Sequence, residues 1–292
     1  MTVLGIDYGG TYTKLMLVSE QAEEIAKATI PSGELDVLAR EVQGFLATAP
    51  AQPERFAVTI AGTLDPATGL VGRAANMPWL NGTRPAEILA EKLGFPGIAV
   101  QDGEAAAVAE ARLGAGQGSD DVFVIALGTG IAGAHVVNGS VRRGAHGGAG
   151  EIGHIRTADN GVVCSCGQVG CMETAIGGTK LATRWAEKGG SAPEGASAID
   201  VIHAAEAGDE PARAALDDAA QALGRALLVL SALVDPALIV IGGGLARTPE
   251  WTVYPAVAVA RAGATFHHVP EVRVATLGVW AGARGAAFVA AN

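Results

Sequence analysis

Val3-Leu4-Gly5-Ile6-Asp7-Tyr8-Gly9-Gly10-Thr11, running on into Thr13-Lys14-Leu15-Met16-Leu17-Val18, is the stretch on which the fold turns. Val3 to Ile6 reads as a buried strand, Asp7 to Thr11 as a turn built on Gly-Gly, and the alternation that follows as a second strand. The same order returns at Asp121-Val122-Phe123-Val124-Ile125-Ala126, Gly128-Thr129-Gly130 and Ala134-His135-Val136-Val137, which ends at Asn138-Gly139. Two similar units predict two similar lobes. Between them, Arg55 to Ile60 and Gly97 to Val100 read as strands, and Arg84 to Leu93 and Asp102 to Leu113 as helices. Further on, Gly178 to Lys188, Ala198 to Ala207 and Pro211 to Leu233 have helical spacing rich in Ala and Leu. A short strand, Pro236 to Ile241, then meets Gly242-Gly243-Gly244. Ala281 to Ala291 predicts a closing helix. Strands alternating with helices make this an α/β protein. We divide it into an N-terminal lobe at 1–113, onto which a helix at 280–292 packs back, and a C-terminal lobe at 114–279.

Composition narrows the function. The 292 residues are 49% hydrophobic, enough for a substantial core, and the formal net charge is −10. General nucleic-acid binding needs a basic surface to displace counterions, so it is not expected. The start of the chain has no basic n-region, which does not fit a signal peptide. The longest apolar stretch, Ala222 to Ile241, is broken by Arg225, Asp235 and Pro236 and fails as a membrane span. A cytoplasmic protein is expected.

An acidic chain that binds an anion must hold it locally, and backbone N–H groups in tight glycine turns do so without Lys or Arg. The 41 glycines make such turns available. Gly128-Thr129-Gly130-Ile131-Ala132-Gly133 formally satisfies the dinucleotide fingerprint G-x-G-x-x-G. That fingerprint needs a helix after the turn, whereas an alternating stretch and an Asn-Gly hairpin signal follow here. A β-turn cradling phosphates fits better. An ordinary hairpin turn is the plain reading of Gly9-Gly10, and its repetition favours phosphate. Asp7 is then placed to hold the Mg²⁺ of a nucleotide, which takes one or two carboxylates beside phosphate oxygens.

All three cysteines fall within eight residues, Cys164-Ser165-Cys166-Gly167-Gln168-Val169-Gly170-Cys171, ten after His154. An odd number cannot pair fully as disulfides. Thiolates and an imidazole are the ligands zinc prefers, and four of them close a tetrahedron with no position left for substrate. A structural Zn²⁺ bound by His154, Cys164, Cys166 and Cys171 is expected.

These stretches together resemble the bacterial ROK sugar kinases of the actin-like, sugar kinase and heat-shock ATPase superfamily. Asp7 to Lys14 is similar to the family's first phosphate motif and Leu127-Gly128-Thr129-Gly130 to its second. Gly148-Ala149-Gly150-Glu151-Ile152-Gly153-His154 with Cys164 to Glu173 resembles its signature and zinc loop. The resemblance implies a two-lobed, ribonuclease H-like fold with a nucleotide and sugar cleft between the lobes. It implies ATP:hexose phosphotransfer, glucose to glucose 6-phosphate first, with N-acetylmannosamine, N-acetylglucosamine, allose or fructose as alternatives. A non-catalytic sugar sensor is the rival of another class. The implied nucleotide contacts are Asp7, Gly9, Gly10, Thr11, Lys14, Gly128, Thr129, Gly130 and Gly242-Gly243-Gly244. The implied sugar contacts are Asn76, Gln101, Asp102, Glu151, His154 and Glu173, and the implied assembly is a homodimer.

Asp102 carries two readings. Asp is among the best helix N-caps, and the resemblance makes it the general base that takes the proton from the attacking hydroxyl. Two positions depart from the family pattern: Gln101 stands where Asn usually precedes this Asp, and Ala61-Gly62 replaces the usual Pro-Gly. Gln keeps the amide and adds a methylene, so a sugar contact either shifted or lost is expected. Glu104 reads as a first-turn acid complementing the helix dipole. His135, His203, His267 and His268 read as structural or surface residues.

Overall fold

The opening strand is longer than its apolar run. In the computed structural model, which describes residues 1–159 and 161–292, β1 (Thr2–Tyr8) takes in Asp7 and Tyr8. The turn shrinks to Gly9-Gly10-Thr11 before β2 (Tyr12–Ser19). Cross-strand pairing extends the hairpin: Asp7 lies opposite Lys14 and Tyr8 opposite Thr13. A Cβ on Gly9 would stand 2.6 Å from the Tyr12 carbonyl oxygen, so only glycine closes so tight a turn.

The chain then forms β3 (Glu24–Pro31), α1 (Leu35–Thr48) and β4 (Arg55–Ile60). The small hairpin β5 (Thr63–Leu64) and β6 (Val71–Arg73) precedes α2 (Pro85–Leu93), β7 (Gly97–Gln101) and α3 (Asp102–Leu113). The strands form one sheet in the order β3-β2-β1-β4-β7, with β2 and β3 antiparallel and β4 and β7 parallel to β1. Alternation along β1 sends Leu4 and Ile6 to one face, where Leu38 and Val42 of α1 and Leu89 of α2 cover them. Val3 goes to the opposite face.

The second unit, Gly114–Thr276, repeats this plan. β8 (Asp121–Leu127), β9 (Ile131–Val137) and β10 (Ser140–Val141) form the antiparallel meander. Asn138 and Gly139 both take positive φ at the β9–β10 turn, as the Asn-Gly signal predicts. The chain continues through α4 (Glu173–Ile176), α5 (Gly178–Glu187), α6 (Ala198–Glu206), α7 (Glu210–Leu233), β11 (Leu238–Gly242), α8 (Val253–Gly263) and β12 (Glu271–Val274). Its sheet runs β10-β9-β8-β11-β12, strand for strand the order of the first. Leu216, Leu223, Leu227 and Leu230 place a stripe of α7 in the core with Ile239 and Ile241 of β11.

The last helix, α9 (Ala281–Ala291), belongs to the first unit. Its small residues bring backbones together. A Cβ on Gly5 would lie 1.9 Å from the Ala283 carbonyl oxygen, and one on Gly285 would lie 1.8 Å from that of Ala105. β1, α3 and α9 are thus locked by two glycines, and Val3, Met16, Val18 and Ala57 are buried against Ala283, Ala286, Ala287 and Ala290. Among the described residues, no helix is long and apolar enough to cross a membrane.

Candidate active site

In the first unit the expected residues gather at the ends of β1 and β7. Asp7 is half-buried; its Oδ1 accepts from Thr59 Oγ1 at 3.1 Å and its Oδ2 from Lys14 Nζ at 3.3 Å. Thr59 in turn accepts the Tyr8 N–H at 3.1 Å. It was not among the expected residues, although a fully buried Thr within the apolar run Val58-Thr59-Ile60 is the signal that marks it. Lys14, a strand lysine, spends its charge on Asp7. α9 reaches the same carboxylate: a Cβ on Gly282 would meet Asp7 Cγ and Oδ1 at 2.7 Å.

Asp102 opens α3 directly after β7. Its Oδ1 accepts from the Gly103 N–H and from Gln101 Nε2, each at 2.8 Å. Burial pushes its carboxyl above the ordinary aspartate range; the Gly103 N–H lowers it and the charge of Asp7 raises it further. That is the direction a general base needs, since proton transfer is most effective when the base titrates near working pH. Asn76 is exposed, with its Cβ 3.6 Å from where a Gly10 Cβ would be. Its loop is held by Trp79, whose Nε1 donates to the Tyr8 hydroxyl at 3.1 Å, while that hydroxyl donates to the Gly33 carbonyl.

In the second unit the strand after Gly128-Thr129-Gly130 is β9, so the turn joins two strands and no helix follows it. The Gly128 N–H bonds the Gly130 carbonyl at 3.1 Å, and the Gly178 N–H, at the start of α5, bonds the Gly128 carbonyl at 2.9 Å. Gly243 packs behind this turn with φ of +93°; a Cβ there would stand 2.3 Å from the Leu127 carbonyl oxygen. A Cβ on Gly244 would meet nothing within 4 Å, so that position is open for a ligand. Glu173, at the start of α4, accepts the Ile131 N–H on Oε2 at 2.8 Å. It therefore ties the cysteine loop to the glycine turn, a contact that spacing alone does not reveal.

His154, Cys164, Cys166 and Cys171 converge with their ligand atoms all within 4.8 Å of one another. Cys166 Sγ lies 3.6 Å from Cys171 Sγ, and Cys164 Sγ 3.6 Å from His154 Nδ1. A tetrahedron with bonds of about 2.0 to 2.3 Å has edges of roughly 3.3 to 3.8 Å, which these two separations match, and three thiols with an imidazole are a donor set zinc takes. Burial and the neighbouring sulfurs push the Cys171 thiol up to about 12. His154 has two faces: Nδ1 looks to the cysteines, and Nε2 lies 3.9 Å from Glu151 Oε2. One ring thus serves the loop while its other nitrogen stays beside the exposed Glu151.

The chain is similar to known proteins over nearly its whole length. A glucokinase of Halalkalibacterium halodurans is 31% identical over 317 residues, covering 98% of this chain and 94% of that one. The crystal structure of a ROK hexokinase from Thermus thermophilus superposes with a TM-score of 0.88 at 30% identity, covering 99% and 98%. That of a ROK family glucokinase from Streptomyces griseus, in complex with glucose and AMPPNP, does so with 0.78 at 29%, covering 99% of each chain. The profile of the ROK family matches residues 3–292, and with two ribonuclease H-like sheets, two glycine turns and the His-Cys loop in place, the chain belongs to the ROK family.

Proposed function

We propose that this protein transfers the γ-phosphoryl group of ATP to the 6-hydroxyl of a hexose, with glucose the preferred acceptor. The observation that carries the reading is Asp102: a half-buried carboxylate at a strand–helix junction, held through one oxygen and shifted upward by burial. Phosphoryl transfer asks a protein mainly for positioning and charge stabilisation, plus an aspartate to accept the hydroxyl proton. Asp102 takes that proton as the sugar oxygen attacks in line. Asn76, Glu151, His154 and Glu173 are the candidate partners of the other hydroxyls. The turns at Gly9-Gly10-Thr11 and Gly128-Thr129-Gly130 offer backbone N–H groups to phosphate oxygens, which suits a chain of net charge −10. Lys14 would stand beside the phosphates, and Gly244 leaves open space for the nucleoside.

Mg²⁺, entering with ATP, would be held on the protein side by Asp7, whose carboxylate is already oriented by Thr59 and Lys14. Zn²⁺ would be held by His154, Cys164, Cys166 and Cys171, and its contribution is rigidity of the loop that carries Glu173. Thiols kept for a metal suit a reducing compartment, which supports a cytoplasmic enzyme of hexose entry into glycolysis. The homodimer implied by the family resemblance is checked by analytical ultracentrifugation.

An ADP-release assay over glucose, mannose, allose, fructose, N-acetylmannosamine and N-acetylglucosamine tests the proposal. Glucose is expected to give the highest kcat/KM. Hexose binding without ADP formation above the ATPase background would make the protein a sugar sensor instead.

A further inference from the structure

Gln101 closes β7 and precedes Asp102, and its amide is occupied at both ends. Oε1 accepts the Glu104 N–H at 2.7 Å, the bond by which an N-cap side chain satisfies the first turn of a helix. Nε2 donates to Asp102 Oδ1 at 2.8 Å. The Gly103 N–H reaches the same oxygen at 2.8 Å. Both bonds fall on Oδ1, so the plane of the carboxylate is fixed through one oxygen and the lone pairs of Oδ2 are left for a proton.

The neighbouring glycine is matched to this arrangement. A Cβ at 103 would stand 3.0 Å from Gln101 Oε1 and 3.6 Å from Nε2. The flexible amide is what would yield, at the expense of its hydrogen bonds. Asn at 101 would cap the helix equally well. It is one methylene shorter, however, and a side chain committed to the Glu104 N–H would fall short of Asp102.

We propose that Gln101 is a positioning residue for Asp102, clamping its Oδ1 while capping α3, and that Gly103 gives the clamp its room. The inference rests on the reading of Asp102 as the base, and it assigns Gln101 inward where the sequence alone suggests a contact with sugar.

Gln101→Asn separates cap from clamp. The melting temperature should be unchanged, and kcat should fall by on the order of tenfold to a hundredfold through misplacement of the base. KM should stay constant, and the ranking of hexoses should be preserved. Gly103→Ala should lower kcat in the same way by a smaller factor, although Ala is the better helix former. The carboxyl ¹³C shift of Asp102, read at alkaline pH without substrate, should change in Gln101→Asn.

An unchanged ¹³C shift would overturn the clamp directly. A KM that rises for some hexoses only, with kcat intact, would make Gln101 a sugar ligand and overturn it as well. Unaltered kinetics in both variants would reduce the amide to a cap. If the wild type turned over no hexose at all, the proposed function would fail, and the ¹³C shift would still decide whether the clamp exists.

Discussion

Asp102 and Asp7 are two carboxylates given opposite tasks by their surroundings. Thr59 and Lys14 hold the Asp7 carboxylate in place, turned to receive a cation. Burial leaves Asp102 reluctant to ionise and therefore able to take a proton. Asp102→Asn should lower kcat by about 10² to 10⁴. It should not lower the melting temperature at neutral pH. The folded state holds the Asp102 proton to higher pH than the unfolded state does, so its stabilising contribution is complete below the ordinary aspartate range. That contribution is lost as pH rises through the folded midpoint. Asn mimics the protonated form at every pH and keeps the contribution. Calorimetry across the acid-to-neutral range, alongside turnover, checks both halves; wild-type turnover in the variant would remove Asp102 from the chemistry.

Gly282 is the residue on which Asp7 leans. Ala there would gain up to about 1 kcal/mol of helix propensity, yet its methyl would meet the Asp7 carboxyl at 2.7 Å. The clash should win. Gly282→Ala is expected to raise the KM for MgATP while leaving that for the hexose unchanged, and equal effects on both would point to general damage.

Among the elements, the loop from Glu151 to Glu173 has little regular structure among its described residues, and His154 and the three cysteines are what gather it. Cys166→Ser should abolish metal stoichiometry, which elemental analysis of the purified protein would put at one zinc per chain in the wild type. The same change should weaken hexose binding by calorimetry. The expected route is Glu173, whose bond to the Ile131 N–H fixes the start of β9; charge-assisted bonds of this kind are worth about 1.5 to 3 kcal/mol. Full zinc content in the variant would refute the ligand set.

How far the elements could be read in advance depended on how well local signal matched final packing. β4, α3 and α9 were legible to the residue because an apolar run or an Ala-rich stretch was bounded by a clear stop. α1 was missed: Glu34 makes no side-chain cap and Gly44 interrupts its pattern, so burial of Leu38, Val42 and Leu46 decides it. α8 was missed because Val253, Val257 and Val259 with Pro255 look like a strand. β3 and β12 are edge strands whose mixed exposure erases alternation. In the candidate site, the residue types were visible from the start. The partners of Gln101 were not, because no spacing rule says which way a flexible amide turns.

For the whole molecule, one plan is used twice, and the first copy is finished by the chain's last residues. Removing 277–292 would strip Ala283, Ala286, Ala287 and Ala290 from the face formed by Val3, Met16, Val18 and Ala57. It would also leave Gly5 without Ala283 and the Ala105 carbonyl without Gly285. The truncated protein is expected to lose the cooperative unfolding of the first unit and keep that of the second, whose core draws on none of these residues. Hydrogen exchange resolved by peptide reads the difference; protection retained across β1, β2 and β4 would contradict it.

That late completion sets a timetable for biosynthesis. Some 160 residues separate Leu113 from Leu277. At about 5 to 20 residues per second the ribosome needs roughly 8 to 30 s to supply them. Throughout that interval the nascent chain holds a sheet with one greasy face uncovered, while the second unit is still emerging. The first unit cannot settle before α9 has emerged, so a chain stalled or cut ahead of α9 is lost from the beginning.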